Sequence, residues 1–270
     1  MAGCGIRLAG HLTAETEHLI KTADRIYAHA GDRLALAAIE DLGVKVEPLD
    51  VHYAPGRCRD HSYEAMVETV LEPVRNGEQV CAVFYGHPGV FVWPAHEAIR
   101  RARAAGFPAT MYPGISAEDC LFADLGLDPA VHGCQSYEAG DFLLYARRID
   151  PTAALILWQP AALGDRSRSS FETDPAWVRV LAEVLMDDYP ADHPVVIYEA
   201  AAFPLDRPRR DTIALERLHQ AEFSPVSTLY LEPVAAPSIS EERLARLGVA
   251  AEDIVPAAFQ RYRSSSGPCG

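Results

Sequence analysis

A strand-like segment that ends in a two-glycine turn and passes into a helix is the feature that most constrains the fold. The apolar segment is QVCAVF (79–84), the turn is YGHPG (85–89), and the helical stretch is AHEAIRRARAAG (95–106). Glycine lets the backbone turn tightly and approach a ligand closely. Turns after strands are also where α/β proteins hold small ligands. With an extended segment at 108–112, the pattern predicts a βαβ unit.

The same alternation of strands and helices runs along most of the chain. Further strands are predicted at 1–6, 25–30, 44–49, 154–159, 193–201 and 226–233. Further helices are predicted at 13–23, 33–41 and 175–187, after Asp60 as a helix cap, and in 209–218 where a strand turns into a short helix. These periodicities predict an α/β protein with an N-terminal domain (1–145), a C-terminal domain (146–235) and a helical tail with a disordered end (236–270).

The charge and the glycine motifs exclude several classes of function. The formal net charge is −14 and the sequence pI is about 5.1, which disfavours binding to nucleic acid or to an anionic membrane. Neither AGCG (2–5) nor YGHPG matches a phosphate-binding loop or a dinucleotide fingerprint. Ser116 lacks the second glycine of a nucleophile elbow, which argues against a serine hydrolase.

Cysteine spacing and the N-terminus bear on the compartment. The six cysteines form no C-x-x-C pair and no zinc spacing with histidine, so we expect reduced thiols and no metal site. The N-terminus has no charged region followed by an apolar stretch, and the apolar runs are too short for a membrane span. These features predict a cytoplasmic protein.

A second glycine turn begins PGISAEDCLFADLGLDP (113–129). Ser116 stands at the start of a helix with Asp119 three residues later, which is typical of a helix cap. Ser116 and the backbone of Ala117 can equally face a ligand at the strand ends. Both roles stay open from the residues alone.

Several segments in order resemble the borosin α-N-methyltransferases, which have the tetrapyrrole-methylase fold and methylate backbone amides of a ribosomal peptide. The segments are YGHPGVFV, PGISAEDCLFADL, YEA (137–139), HPVVIY and VST, and the likeness runs from about residue 2 to residue 233. Many tetrapyrrole methylases carry a GDP-type turn where this chain has Gly86-His87-Pro88. The resemblance implies a two-domain tetrapyrrole-methylase fold with S-adenosylmethionine in the cleft between the domains and S-adenosylhomocysteine as its product.

The resemblance also assigns residues to the cofactor. It places the following around S-adenosylmethionine: Tyr85, His87, Val90, Phe91, Ser116, Ala117, Gln159, Ala200, Ser227 and Thr228. For Gln159, Ser227 and Thr228, ordinary hydrogen bonding at strand ends is the alternative. S-adenosylmethionine has no phosphate, so the turn needs no lysine.

The resemblance assigns the catalytic residues to the segment VHYAPGRCRDHSYEAM (51–66). Arg59 and Tyr63 are four residues apart at a helix start and share a face, and Tyr53 precedes them. A solvated surface loop is the ordinary interpretation, but a Tyr/Arg cluster of the family falls on Tyr53, Arg59 and Tyr63. Either tyrosine is a candidate base. Asp50 stands where the family has a further tyrosine and is a possible substitute base.

The resemblance implies a homodimer and a peptide substrate. In fused borosin enzymes an apolar substrate tail follows the catalytic domain, whereas this chain ends in SSSGPCG (264–270). We therefore expect a separate precursor peptide that is methylated in trans. The alternatives are methylation of a tetrapyrrole or another small molecule, and a weakened protein that binds the cofactor without turnover.

Overall fold

Four parallel strands form the first sheet. The structure is a computed structural model that describes residues 1–8, 10–31, 33–53, 58–165 and 172–253. The strands are β1 (Ala2–Gly3), β2 (Arg25–His29), β3 (Val46–Pro48) and β4 (Val80–Phe84), in the order β1-β4-β2-β3. Their buried apolar runs are typical of a parallel sheet that is covered on both faces.

Helices cover this sheet on both sides. They are α1 (Ala14–Thr22), α2 (Arg33–Glu40), α3 (Arg59–Arg75) and α4 (Trp93–Ala104), and the chain then continues through α5 (Ala117–Leu125) and α6 (Pro129–His132) toward the second sheet. One face packs on α1 and α2 through Ile20 and Ile39. On the other face, Met66 of α3 and Ala95 of α4 pack against Phe84 of β4. The sheet is thereby fixed between two helical layers, and the carboxyl ends of its strands stay open.

Five strands form a second, mixed sheet. They are β5 (Cys134–Glu138), β6 (Ala154–Trp158), β7 (Pro194–Glu199), β8 (Arg209–Ala214) and β9 (Thr228–Leu231), in the order β5-β6-β9-β7-β8. Only the β5–β6 pair is parallel among these pairings. The helices α7 (Ala139–Leu144) and α8 (Pro175–Leu185) lie on one face. Leu121 of α5 packs on the other face, against Ile156 and Tyr198.

Most predicted elements are present. The short helices α6 (Pro129–His132) and α7 (Ala139–Leu144) were not predicted, and three further differences follow. The predicted strand at 108–112 is reduced to one bridge between Tyr112 and Ala2, because β1 is only two residues long. Asp60 is not the helix cap, because α3 begins one residue earlier, at Arg59. The strand β5 was not predicted, since its residues are half-buried or exposed and polar at three positions.

The predicted domain boundary at 145/146 falls between β5 and β6, which pair in the same sheet. The tail carries α9 (Glu241–Leu247), and the disordered end predicted at 264–270 lies outside the described residues. Within the described ranges, no helix combines the length and apolar character that a membrane crossing requires.

Candidate active site

Three glycine turns meet at the carboxyl ends of the first sheet. A Cβ on Gly3 would lie 2.3 Å from the carbonyl oxygen of Gly86, and a Cβ on Gly114 would lie 2.4 Å from the same oxygen. Gly5 and Gly86 form a further backbone bridge. Only residues without side chains permit this contact. The glycines of the three sequence motifs therefore bring the β1, β4 and α5 turns together.

A cleft of about 680 Å³ opens beside these turns and reaches the second sheet. Every residue predicted from the sequence to bind cofactor or to act in catalysis lines this cleft: Tyr53, Arg59, Tyr63, Tyr85, His87, Val90, Phe91, Ser116, Ala117, Gln159, Ala200, Ser227 and Thr228. The volume suits a drug-sized or nucleoside-sized ligand. Residues that are far apart in the sequence thus share one site.

The two predicted serines use their hydroxyl groups inside the protein. Ser116 forms a capping box with Asp119, and its Oγ donates to the Asp119 carboxylate at 2.7 Å. The Oγ of Ser227 donates to Glu199. Both serines are buried. What they offer a ligand is therefore mainly the backbone of their turns.

His87 has a defined role within the first turn. Its Nδ1 accepts a hydrogen bond from the backbone N–H of Gly89 at 2.8 Å. This bond assigns the ring proton to Nε2 in the neutral form. His87 therefore stabilises the turn between the two glycines as well as lining the cleft.

Two lining residues other than glycine hold left-handed backbone conformations. Phe91 and Gln159 both have φ of 56°, a region that non-glycine residues seldom occupy. The Phe91 ring is half exposed and lies 5.9 Å from the ring of Trp158, between centroids. Such conformations cluster at ligand sites, and here they aim one side chain from each half of the chain at the cleft.

Glu199 organises the part of the cleft that the second sheet contributes. Its carboxylate accepts hydrogen bonds from Ser224 and Ser227 and from Arg209. Burial alone would raise the pKa of Glu199, but these hydrogen bonds outweigh it and lower the pKa. The charged carboxylate therefore holds the turn that precedes Thr228.

Glu199→Gln is expected to weaken S-adenosylhomocysteine binding by about tenfold, because the amide replaces a charged acceptor of several hydrogen bonds. Titration calorimetry measures the affinity, and Glu183→Gln, at an exposed site on α8, is the control. Because the pKa of Glu199 is lowered in the folded chain, its stabilisation is present at neutral pH and is lost as the pH falls. An unchanged affinity in Glu199→Gln would contradict this role.

Aromatic rings form the opposite wall. The ring centroids of Tyr53 and Tyr63 are 6.4 Å apart, edge to face, and Tyr63 stacks on Trp93 at 6.4 Å. Beside them, Arg59 Nη2 lies 3.6 Å from Oδ2 of Asp165, whose side chain is 4% exposed. The wall thus combines two phenols with a partly buried guanidinium.

The environment of Tyr53 keeps its proton in place. Burial, the charge of Tyr63 and a hydrogen bond with Tyr63 raise the pKa of Tyr53, and Asp50 adds to the shift. Arg59 acts in the opposite direction but does not reverse the shift. A nearby arginine ordinarily lowers a tyrosine pKa, but for Tyr53 burial outweighs the effect of Arg59.

Sequence analysis missed His29, which also lines the cleft. It is the last residue of β2, and its Nδ1 lies 2.6 Å from Oδ1 of Asp50. Its position at the carboxyl end of a parallel strand was the available signal.

Among the residues that the structure covers, no three His, Cys, Asp or Glu side chains are placed to hold a metal ion.

Comparison with known proteins identifies the family. The model of the tetrapyrrole (corrin/porphyrin) methylases matches residues 1–215. The chain belongs to the tetrapyrrole methylase family. The family is one of methyltransferases, and it implies S-adenosylmethionine as the cofactor. The site fits such a group, because side-chain-free turns border a large cleft and the cofactor carries no phosphate that would need a cationic loop.

Curated relatives are similar over nearly the whole chain. The gymnopeptide precursor of Gymnopus fusipes, a methyltransferase/ribosomally synthesized cyclic peptide precursor, is 37% identical over 95% of this chain. The omphalotin A precursor of Omphalotus olearius is 36% identical over 95% of this chain. A type I borosin precursor of Serendipita vermifera is 38% identical over 93% of the chain. The chain spans 62% of the length of each of these relatives.

Solved structures confirm the fold. The uroporphyrin-III C-methyltransferase of Thermus thermophilus, in complex with S-adenosylhomocysteine, aligns with a TM-score of 0.59 at 22% identity. The alignment covers 86% of this chain and 95% of that one. The predicted tetrapyrrole-methylase fold is therefore correct.

Proposed function

We propose that the chain is an S-adenosylmethionine-dependent methyltransferase that methylates backbone amide nitrogens of a precursor peptide. One observation carries the proposal. The Tyr53–Tyr63–Arg59 wall faces the glycine turns across a single cleft, in a chain similar to precursors named as methyltransferases of ribosomal peptides.

The reaction requires activation of a poor nucleophile. A backbone amide nitrogen attacks a methyl group only after it has lost its proton. When bound, S-adenosylmethionine would supply an electrophilic methyl carbon, and its sulfonium sulfur would be the leaving group that keeps the C–S bonding pair. In the cleft, a tyrosine would remove the amide proton as general base. Arg59 would stabilise the negative charge that develops on the carbonyl oxygen.

We assign the base to Tyr63. The environment of Tyr53 raises its pKa and so favours its protonated form. The hydrogen bond between the two phenols lets Tyr53 donate to a Tyr63 oxygen that carries the negative charge. The stack on Trp93 holds the Tyr63 ring in place. Tyr53 is then the residue that stabilises the base.

The cofactor would lie along the glycine turns. Backbone groups of Tyr85, His87, Ser116 and Ser227 are the proposed polar contacts, since the two serine hydroxyls are engaged elsewhere. The remaining cofactor residues would pack around it or donate from strand ends: Val90, Phe91, Ala117, Gln159, Ala200 and Thr228. Positioning of the methyl group against the amide supplies a large share of the catalysis.

A tetrapyrrole substrate fits the cleft less well. Tetrapyrroles of this family carry several carboxylates and need several cations around them. Among the lining residues that the structure describes, Arg59 is the only arginine or lysine, and Asp165 lies 3.6 Å from it. Arg147 lies over the rings of Tyr137 and Tyr145, and Arg57 lies outside the described residues.

The supply of the peptide and the oligomeric state are parts of the proposal. The relatives are named as methyltransferase and precursor in one chain, whereas we propose a precursor that is supplied in trans to a homodimer. Light scattering during size-exclusion chromatography measures the dimer. A comparison of separate and fused peptides measures the mode of supply.

The test offers the purified chain S-adenosylmethionine and three kinds of substrate. These are peptides from short reading frames beside its gene, the part of the omphalotin A precursor outside the matched region (separate and fused), and uroporphyrinogen III. We expect stepwise single-methyl mass increases on a peptide. Methylation of uroporphyrinogen III alone would support the tetrapyrrole alternative. Binding of S-adenosylhomocysteine with no methylation of any substrate would support the alternative of a protein that binds the cofactor but does not catalyse methyl transfer.

A further inference from the structure

We propose that His29, oriented by Asp50, carries the amide proton from the tyrosine pair to solvent. The inference rests on the proposed function and adds a residue to its mechanism. His29 is a proton-relay residue and Asp50 is a positioning residue. The proposed function gives His29 no other role, and Asp50, a possible base from the sequence, here orients His29.

The Asp50 contact fixes which nitrogen of His29 is available. Oδ1 of Asp50 lies 2.6 Å from His29 Nδ1, and a carboxylate only accepts hydrogen bonds. His29 Nδ1 therefore donates its proton to Asp50, and His29 Nε2 keeps a free lone pair. A carboxylate that orients an imidazole and stabilises its protonated form is the arrangement found in catalytic triads.

His29 lies beside the tyrosine pair. The centroids of the His29 and Tyr53 rings are 5.6 Å apart, and Tyr53 hydrogen-bonds Tyr63. Both His29 and Tyr53 line the cleft. The side chain of His29 is 28% exposed and that of Asp50 is 48% exposed. Tyr63, Tyr53, His29 and Asp50 therefore form a row that runs from the cleft wall to the solvent.

Each turnover releases one proton, which needs an exit. The Tyr63 phenolate takes the amide proton before the nitrogen acquires the methyl group. The proton then moves from the tyrosine pair to Nε2 of His29, and the imidazolium is stabilised by the Asp50 carboxylate. Loss of that proton to solvent regenerates the neutral ring and the Tyr63 phenolate. No reactant beyond the peptide and S-adenosylmethionine is needed.

The charged and titratable groups around His29 support this direction. Asp50 comes from the 3₁₀ turn Leu49–His52, Tyr53 follows that turn, and Arg59 and Tyr63 come from α3. Tyr85, after β4, also lines the cleft. Asp50 is the one carboxylate that contacts His29 among the described residues.

His52 turns away from this row. Its Nε2 lies 2.9 Å from Oγ1 of Thr69 on α3. His52 thus provides a histidine of nearly the same location outside the proposed relay, and His52→Ala is the matched control.

The test measures methylation of whichever peptide the parent chain accepts. His29→Ala is expected to lower kcat by about ten- to a hundredfold, in the range of lost acid–base catalysis, and added imidazole should restore part of the rate. Asp50→Asn should change the pH dependence of kcat. S-adenosylhomocysteine affinity, measured by calorimetry, should stay at the parent value in both variants. Nitrogen-15 NMR should show the Nδ1–H tautomer of His29 in the parent and a mixture in Asp50→Asn.

Several outcomes would overturn the relay. The first is a His29→Ala variant with the same kcat and pH profile as the parent chain. The second is a His52→Ala variant that loses as much kcat as His29→Ala. The third is a loss of kcat in His29→Ala that added imidazole does not restore and that is accompanied by weaker S-adenosylhomocysteine binding. If the parent chain methylates no peptide, the proposed function itself fails and the relay fails with it. A peptide-methylating parent with an unaffected His29→Ala variant would refute the relay alone.

Discussion

Tyr63→Phe is expected to lower peptide methylation by at least about a hundredfold, the usual cost of losing a general base. The variant removes one hydroxyl and keeps the ring that stacks on Trp93. The hydrogen bond to Tyr53 is lost as well. Because the ring is retained, S-adenosylhomocysteine affinity and thermal unfolding should match the parent. Single-turnover kinetics, which follow the rate at which the methylated peptide forms, measure the effect.

One variant serves as a control for this result, and a second tests the role of Arg59. Tyr145→Phe removes a hydroxyl from an exposed residue outside the cleft and should leave the rate unchanged. Arg59→Lys keeps a positive charge near Asp165 but loses the planar fork, so it should lower the rate without unfolding the chain. A Tyr63→Phe variant with the parent rate would show that the base lies elsewhere.

Gly114→Ala is expected to lower the free energy of unfolding by about 3 kcal/mol or more, at the upper end of the cost of overpacking. The added Cβ would lie 2.4 Å from the carbonyl oxygen of Gly86 and 2.8 Å from the Cα of Gly3. Both are backbone atoms of neighbouring turns, so neither can move aside as a flexible side chain does. Displacement of these backbone atoms would separate the three glycine turns and would also weaken S-adenosylhomocysteine binding.

Denaturant unfolding and calorimetry on the same samples measure both effects. Gly10→Ala is the matched control, because a Cβ there would come no closer than 3.6 Å to the nearest atoms that face it. It should change the stability little. Parent stability and affinity in Gly114→Ala would contradict the close packing of the three turns.

The sequence predicted the fold where one pattern determined one element. Strands such as β4 and β6 are continuous apolar runs, and Thr13 caps α1 by accepting from the backbone N–H of Thr16. The glycine turns could be predicted because glycine after a strand indicates a tight turn or a close approach of the backbone. The strand predicted at 108–112 failed because its partner β1 is only two residues long.

The location of the site was predictable, but its internal hydrogen bonds were not. The motifs named the lining residues, yet nothing in the VST segment indicates that the Ser227 hydroxyl serves Glu199. The contact between His29 and Asp50 joins residues 21 positions apart. The burial that raises the pKa of Tyr53 depends on residues from separate segments. Such pairings arise only when the strands and helices have assembled.

The most direct test of the central claim is fragmentation mass spectrometry of a peptide after incubation with the chain and S-adenosylmethionine. The account predicts methyl groups on backbone nitrogens, added one at a time, and their loss when Tyr63→Phe replaces the parent chain. Methyl groups only on side chains, or on uroporphyrinogen III and never on a peptide, would contradict it.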